Sequence, residues 1–317
     1  MEGFIAPRGL IAELITPLRS NGTIDVQGLE RLLDRVTPSV EAVFLASPHM
    51  GEGKNLGPEQ RSDLAERAKS ALRGRIPILV WITQDTEEKT TDTILTLKKR
   101  FEKGGMTGQI FWVDTPLYYH SNRGLPSYYQ NLGPIVDGPL ILHNDPVLIQ
   151  ALGKPLKRNN LRTGVLKELV LLKGIVGLIF LGSLDRANNY NRACRGLAHF
   201  RIYDGDETQF LDHPSMSGVV SVGANLAPRA WHKITRSSLR LMGAQEEYPD
   251  HLQQVWELGQ YLRDLKEIYQ QSPVAIIKEI LYEMGVIETP VCTFSSEDVE
   301  GQKGRLKELM ARYGDYV

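Results

Sequence analysis

Short, nearly continuous apolar runs alternate along this chain with longer segments whose apolar residues recur at helical spacing. The runs are Leu10 to Pro17, Glu41 to Ser47, Ile76 to Gln84, Gln109 to Thr115, Pro139 to Asn144, Ile175 to Leu181, Phe200 to Asp204 and Gly218 to Asn225. Each is the length of a strand, and a strand apolar on both faces belongs in a buried parallel sheet. Helical patterns fill the gaps: Asp25 to Val36, a segment opened by Gly57-Pro58-Glu59, one running to Lys103 before Gly104-Gly105, and one from Gly124 to Leu132. Proline suits a first helical turn and glycine suits a helix stop. Strand and helix in strict alternation predict parallel βα units. Eight repeats favour a closed (β/α)8 TIM barrel over an open doubly wound sheet. From about Ala230 the pattern is wholly helical: Trp231 to Leu241, Tyr248 to Tyr269, Pro273 to Met284 and Gly304 to Tyr313. The expectation is a barrel over residues 1–229 and a C-terminal helical extension over 230–317, packed on it without a low-complexity linker.

Composition narrows the function classes. Of 317 residues, 42% are apolar and 24% charged, as in an ordinary globular protein with a large core. The formal net charge of −1 provides no field for nucleic acid or an anionic membrane, so neither is expected as a partner. The two cysteines, Cys194 and Cys292, lie far apart with no Cys-x-x-Cys, which favours a reducing compartment; together with an N-terminus unlike a signal peptide, this makes the cytoplasm the expected location. No Gly-x-Gly-x-x-Gly or Walker A pattern is present, and no cofactor is expected.

Several segments then stand out in order. Gly9 to Leu18 is followed by Gly22-Thr23-Ile24-Asp25; Gly51-Glu52 follows the second strand; Thr115-Pro116-Leu117-Tyr118-Tyr119 follows the fourth. Leu142-His143-Asn144-Asp145-Pro146 closes the fifth strand, Asp204-Gly205-Asp206-Glu207 the seventh, and Gly218 to Pro228 holds the eighth. Ser272-Pro273-Val274 through Gly285 forms a late helix. In this order and spacing they resemble the dihydrodipicolinate synthase / N-acetylneuraminate lyase family of pyruvate aldolases over almost the whole chain. The resemblance implies a TIM barrel, a lyase acting on pyruvate-derived keto acids, and a homo-oligomer, dimer or tetramer.

The same resemblance shows departures where barrel chemistry lives, at the C-terminal strand ends. The family's sixth strand carries a lysine that forms a Schiff base with the keto acid. The matching position is Ile179, which has no amine and cannot form an imine. The nearest lysine, Lys173, falls six residues earlier, at the other end of the strand. The family's proton-relaying tyrosine on the fifth strand corresponds to His143. Its two threonines before Gly-Glu correspond to His49 and Met50, while the relay tyrosine passed to a neighbouring subunit is kept as Tyr118. The arginine that grips a substrate carboxylate has no match in Val147-Leu148-Ile149-Gln150, and basic residues around Gly153 to Asn160 lengthen the loop after the fifth strand.

The residues expected to carry function are therefore His143, His49 and Tyr118 as catalytic groups, with Met50, Gly51, Glu52, Asp206 and Val220 contacting a keto acid. Three readings stay open. The site works without Schiff-base chemistry, with His143 as a general acid–base; or a metal held by His49 and His143 with Glu52, Asp145 or Asp206 polarises the keto acid; or the pocket belongs to a non-catalytic binding or regulatory paralogue. Bland roles compete for the same residues: Ile179 as barrel filling, Asp206 as a helix cap, Trp81 and Trp112 as core.

Overall fold

The computed structural model of the protein describes residues 4–103, 109–154, 158–239, 250–295 and 299–317. Within them the eight expected strands form. They are β1 (Gly9–Glu13), β2 (Ala42–Leu45), β3 (Ile78–Trp81), β4 (Ile110–Asp114), β5 (Leu140–Asn144), β6 (Ile175–Phe180), β7 (Arg201–Asp204) and β8 (Gly218–Ser221). All pair in parallel, in sequence order, and β8 returns to β1, so the sheet closes into a barrel. Closure depends on a glycine pair. Gly9 and Gly218 are register partners across the seam. Gly218 has φ +126°, and a Cβ on it would lie 1.8 Å from the Gly9 carbonyl oxygen, so a side chain there is excluded.

The helices between strands are α1 (Val26–Val36), α2 (Pro58–Leu72), α3 (Glu87–Lys103), α4 (Leu125–Val136), α5 (Pro146–Gln150), α6 (Thr163–Leu169), α7 (Leu184–Ala193) and α8 (Glu207–Asp212), with α9 (Pro228–Ser238) after β8. Their starts follow the local chemistry. Asp25 accepts a hydrogen bond from the Gly28 N–H at 2.9 Å, Asp145 from Leu148, and Asp206 from Thr208 and Gln209, each capping the helix it precedes. Side chains alternate across each strand. Ile11, Phe44, Trp81, Val113, Ile141, Ile179, Tyr203 and Val220 fill the barrel interior as one cluster, while outward residues pack under the helices. Trp81 fills the interior and Trp112 stacks outward on Phe101 with centroids 6.0 Å apart, both as core.

Several strands end earlier than their apolar runs. The run from Gly218 to Asn225 stays in the sheet only to Ser221. The Ser221 hydroxyl then accepts from Ala224 N–H at 3.1 Å and the Glu207 carboxylate from Gly223 N–H at 2.8 Å, which winds Gly223–Asn225 into a 3₁₀ turn. The helical pattern at Trp231 is also placed differently. It belongs to α9, which follows β8 and packs on β1 as the barrel's own eighth-unit helix. The extension proper is α10 (Asp250–Tyr269), α11 (Pro273–Glu283) and α12 (Glu300–Arg312). Tyr261 and Tyr313 stack at 4.2 Å between α10 and the end of α12. Gly104-Gly105, the segment around Leu241 to Tyr248, and part of the basic stretch after β5 lie outside the described residues.

Candidate active site at the barrel mouth

The register of the sheet sets the centre of the site. His143 on β5 and Ile179 on β6 are direct cross-strand partners, and Ile179 pairs on its other side with Tyr203. Both His143 and Ile179 face inward at the C-terminal end of the barrel, Ile179 fully buried. With Phe44 of β2, Val220 of β8 and Glu13 of β1 from across the barrel they line a cavity of about 60 Å³, roofed by His49, Met50, Asp145 and Leu181 from the loops. That volume holds roughly four water molecules, or a small ligand of a few heavy atoms. The roof residues also line a wider cleft of about 960 Å³, walled by the start of α11 and by Phe294 from the extension. Lys173 lies between α6 and β6, at the far end of the strand from this cavity.

Four titratable groups meet at the cavity, and burial drives two of them in opposite directions. Glu13, at the end of β1, is pushed up to about 7, chiefly by burial, with Glu207 and Asp145 adding to the rise and the Ser47 hydroxyl and His49 opposing it. His143 is pushed down to about 4 by burial and by His49, against the pull of Asp145. Glu13 therefore changes charge near neutrality, and His143 is a neutral imidazole there. For Asp145 burial pushes upward, but the His49 contact, His143 and the Leu148 N–H outweigh it and hold the carboxyl below its ordinary value. His49 Nε2 lies 3.5 Å from Asp145 Oδ2, at the junction of cavity and cleft.

The tautomer of His143 follows from its neighbours. Trp81 Nε1–H donates to Thr115 Oγ1 at 2.9 Å, and Thr115 Oγ1 lies 3.0 Å from His143 Nδ1. The threonine hydroxyl, already accepting from the indole, still has its own hydrogen to place, and donating it to Nδ1 leaves the proton of the neutral ring on Nε2. Thr115 is held in turn: its N–H donates to Thr83 Oγ1, and Thr83 donates to Asp114. Asp114 also accepts from the hydroxyls of Tyr119 and Tyr129, both at 2.6 Å. This buried network runs from Trp81 in the barrel interior through Thr115 to Asp114 and its tyrosines, and it fixes the histidine.

The other expected residues are placed unequally. Met50 and Val220 line the cavity. Tyr118 sits over Trp81, edge to face at 6.3 Å, behind the cavity rather than in its lining. Gly51 does not line it: its N–H donates to the Ser47 hydroxyl and its carbonyl accepts from Thr16. A Cβ there would be 2.4 Å from the Ser47 nitrogen, so glycine is required for packing. Glu52 is turned away into a buried ion pair with Lys278 of α11 and also accepts from the Thr293 N–H at 2.6 Å. It does so at φ +57°, a left-handed conformation that this double anchorage sustains. Asp206 caps α8 and pairs with Lys266 at 2.9 Å on the rim of the wider cleft.

The proposed metal set therefore does not converge. Glu52 and Asp206 face lysines, and no group of three His, Cys, Asp or Glu among the described residues is arranged to hold a metal ion. Sequence reasoning missed Glu13, which reads as an ordinary strand-end residue, and Lys54, which lines only the wider cleft. The alternation of inward positions along β1, Ile11 then Glu13, was the available signal for the former.

Comparison with known proteins places this geometry. The dihydrodipicolinate synthetase family model matches residues 6–307, and the chain belongs to that family. It is 26% identical over 309 residues, covering 95% of this chain and 98% of the relative, to a 4-hydroxy-tetrahydrodipicolinate synthase of Thermotoga neapolitana. It is 25% identical to that of Alcanivorax borkumensis, covering 97% and 98%. Among solved structures, dihydrodipicolinate synthase from Aquifex aeolicus superposes with a TM-score of 0.77 at 21% identity, over 98% of this chain and 99% of that one. The chloride-inhibited enzyme of Acinetobacter baumannii, solved with pyruvate, gives 0.77 at 21%, over 98% and 100%. At these identities the structures speak for the shared fold. No helix among the described residues is long and apolar enough to cross a membrane.

Proposed function

We propose that this family member is a lyase-type protein that uses the barrel mouth without forming a Schiff base, acting on a small carbonyl compound of the keto-acid kind. The observation that carries the reading is the side chain at the end of β6: Ile179, buried against His143, where the family resemblance calls for an amine. Proton-transferring groups surround that position in place of a nucleophile. The Nε2–H of neutral His143 can donate to a carbonyl oxygen, and Glu13 can take or return a proton at the adjacent carbon near neutral pH. His49, oriented by Asp145, stands where a ligand passes from cleft to cavity. The metal-assisted alternative loses support because Glu52 and Asp206 are committed to lysines and no three candidate ligands converge among the described residues. A binding-only paralogue is the second reading, favoured by the small size of the cavity. The reading includes a cytoplasmic homo-oligomer.

Two measurements test it. Borohydride reduction in the presence of pyruvate, followed by intact mass and peptide mapping, should leave the protein unmodified; a stoichiometric adduct on any lysine, Lys54 included, would restore the aldolase mechanism. Deuterium uptake from D₂O into the carbon beside the carbonyl of pyruvate or hydroxyacetone, followed by proton NMR, separates the two readings. Uptake above buffer that falls in Glu13→Gln marks acid–base catalysis, and none supports binding alone.

A further inference from the structure

We infer that the barrel-mouth cavity selects an uncharged carbonyl ligand over a keto-acid anion, and that Glu13 is the residue that sets this selection. The inference rests on the reading above, that a small carbonyl compound occupies the mouth, and narrows the keto-acid kind named there to its uncharged relatives. It follows from the charges that line the cavity. Two carboxyl groups, Glu13 and Asp145, two imidazoles and otherwise uncharged residues face it, and its lining contains neither lysine nor arginine. The four residues Val147-Leu148-Ile149-Gln150, where a carboxylate-gripping arginine would be expected, make the uncharged turn of α5. Ile179 supplies no ammonium group. Two lysines come near the wider cleft and both are committed, Lys266 to Asp206 and Lys278 to Glu52. Lys54 is exposed and lines only that outer cleft. Relative to the site that the family resemblance implies, two positive charges are absent, and the carboxyl of Glu13 faces the cavity. All three features act in the same direction.

The surroundings of Glu13 reinforce the sign. From α8, Glu207 faces it, with its own carboxylate accepting from Ser221, Gly223 N–H and Tyr269 of α10. From the loops come the Ser47 hydroxyl, His49 and Asp145, and from β5 His143. Above pH 7 Glu13 is ionised, and a ligand carboxylate would join the two carboxyl groups, Glu13 and Asp145, that face this partly buried cavity. Below pH 7 Glu13 is neutral and can donate a hydrogen bond instead. A single like charge within a few ångströms in a partly buried site weakens binding by about tenfold or more.

The experiment uses pyruvate and hydroxyacetone, which share a methyl ketone and differ in charge. Met50 lines both cavity and cleft, so the ¹³C-methyl resonance of Met50 in the intact protein, assigned with Met50→Leu, reports occupancy. Hydroxyacetone should shift it at pH 6 and pH 8. Pyruvate should bind at least tenfold more weakly than hydroxyacetone at pH 8, with the gap narrowing at pH 6. In Glu13→Gln, which removes the ionisation while keeping size and hydrogen bonding, pyruvate should gain about tenfold at pH 8 and lose its dependence on pH. Pyruvate binding as tightly as hydroxyacetone to the native protein at pH 8, or a ratio unmoved by Glu13→Gln, overturns the inference while leaving the small-carbonyl reading standing. If neither compound shifts Met50, both fall together.

Discussion

Lys278 of α11 buries its ammonium group against the carboxylate of Glu52, which follows β2, and both side chains are wholly shielded from solvent. Lys278 also donates to the Val291 carbonyl at 2.7 Å, and Glu52 accepts from Thr293, so the pair ties the mouth loop to the Val291–Thr293 stretch after α11. Removing one partner strands the other as a buried charge. Glu52→Gln and Lys278→Met should each cost about 3–5 kcal/mol, and the double variant should cost less than the sum. Thermal unfolding of the three proteins measures this. Single variants indistinguishable from the native protein would mean that the pair is dispensable.

Glu13 carries a pH signature in stability. Its folded pKa is raised from 4.5 to about 7, so the stability tied to its protonated form is fully present below pH 4.5 and is lost as pH rises through about 7. Glu13→Gln has nothing to ionise. The variant should gain on the native protein as pH rises from 5 to 8, by an amount on the order of 2–3 kcal/mol. Urea unfolding at the two pH values reads the difference, and a gap independent of pH would contradict it.

His143 has the opposite sign. Its folded pKa is lowered from 6.5 to about 4, so the stability from its neutral form is fully present above pH 6.5 and is lost as pH falls through about 4. Nitrogen-15 NMR of the imidazole should show a neutral ring protonated on Nε2 at pH 6. In Thr115→Val, which removes the hydroxyl beside Nδ1, the preference between the two tautomers should weaken. A charged imidazolium at pH 6 in the native protein would refute the assignment.

Assembly is tested through Tyr118. The loop of Tyr118 and Tyr119 stands outside the cavity, held by Trp81 on one side and by Asp114 on the other. We expect this loop at a subunit contact, with sedimentation at micromolar concentration giving a dimer or tetramer. A Tyr118→Arg variant, with a charge placed in such a contact, should shift the distribution toward monomer. A monomeric native protein would count against the expectation.

Much of the barrel was legible in one dimension because its rules are local. A strand buried on both faces must be apolar throughout, and Asp25, Pro58 and Asp206 mark helix starts by satisfying N–H groups a few residues away. The alternation of such signals specifies the (β/α)8 order, and the position of Ile179 at the end of the sixth run follows from counting. The extent of the eighth strand was not legible, because the turn at Gly223 is set by Glu207 from another element. The same holds for the site. Gly51 and Glu52 read as ligand contacts, yet Glu52 meets a lysine 226 residues later in the chain. Glu13 reads as a strand-end residue, yet burial and four groups from α8 and the loops decide its charge. Composition and periodicity are sums over near neighbours, so the sequence by itself determined the architecture and the place of Ile179 on the sixth strand. Desolvation and Coulomb energies depend on which distant residues share a cavity, so only the tertiary structure decided which charged groups meet at the barrel mouth.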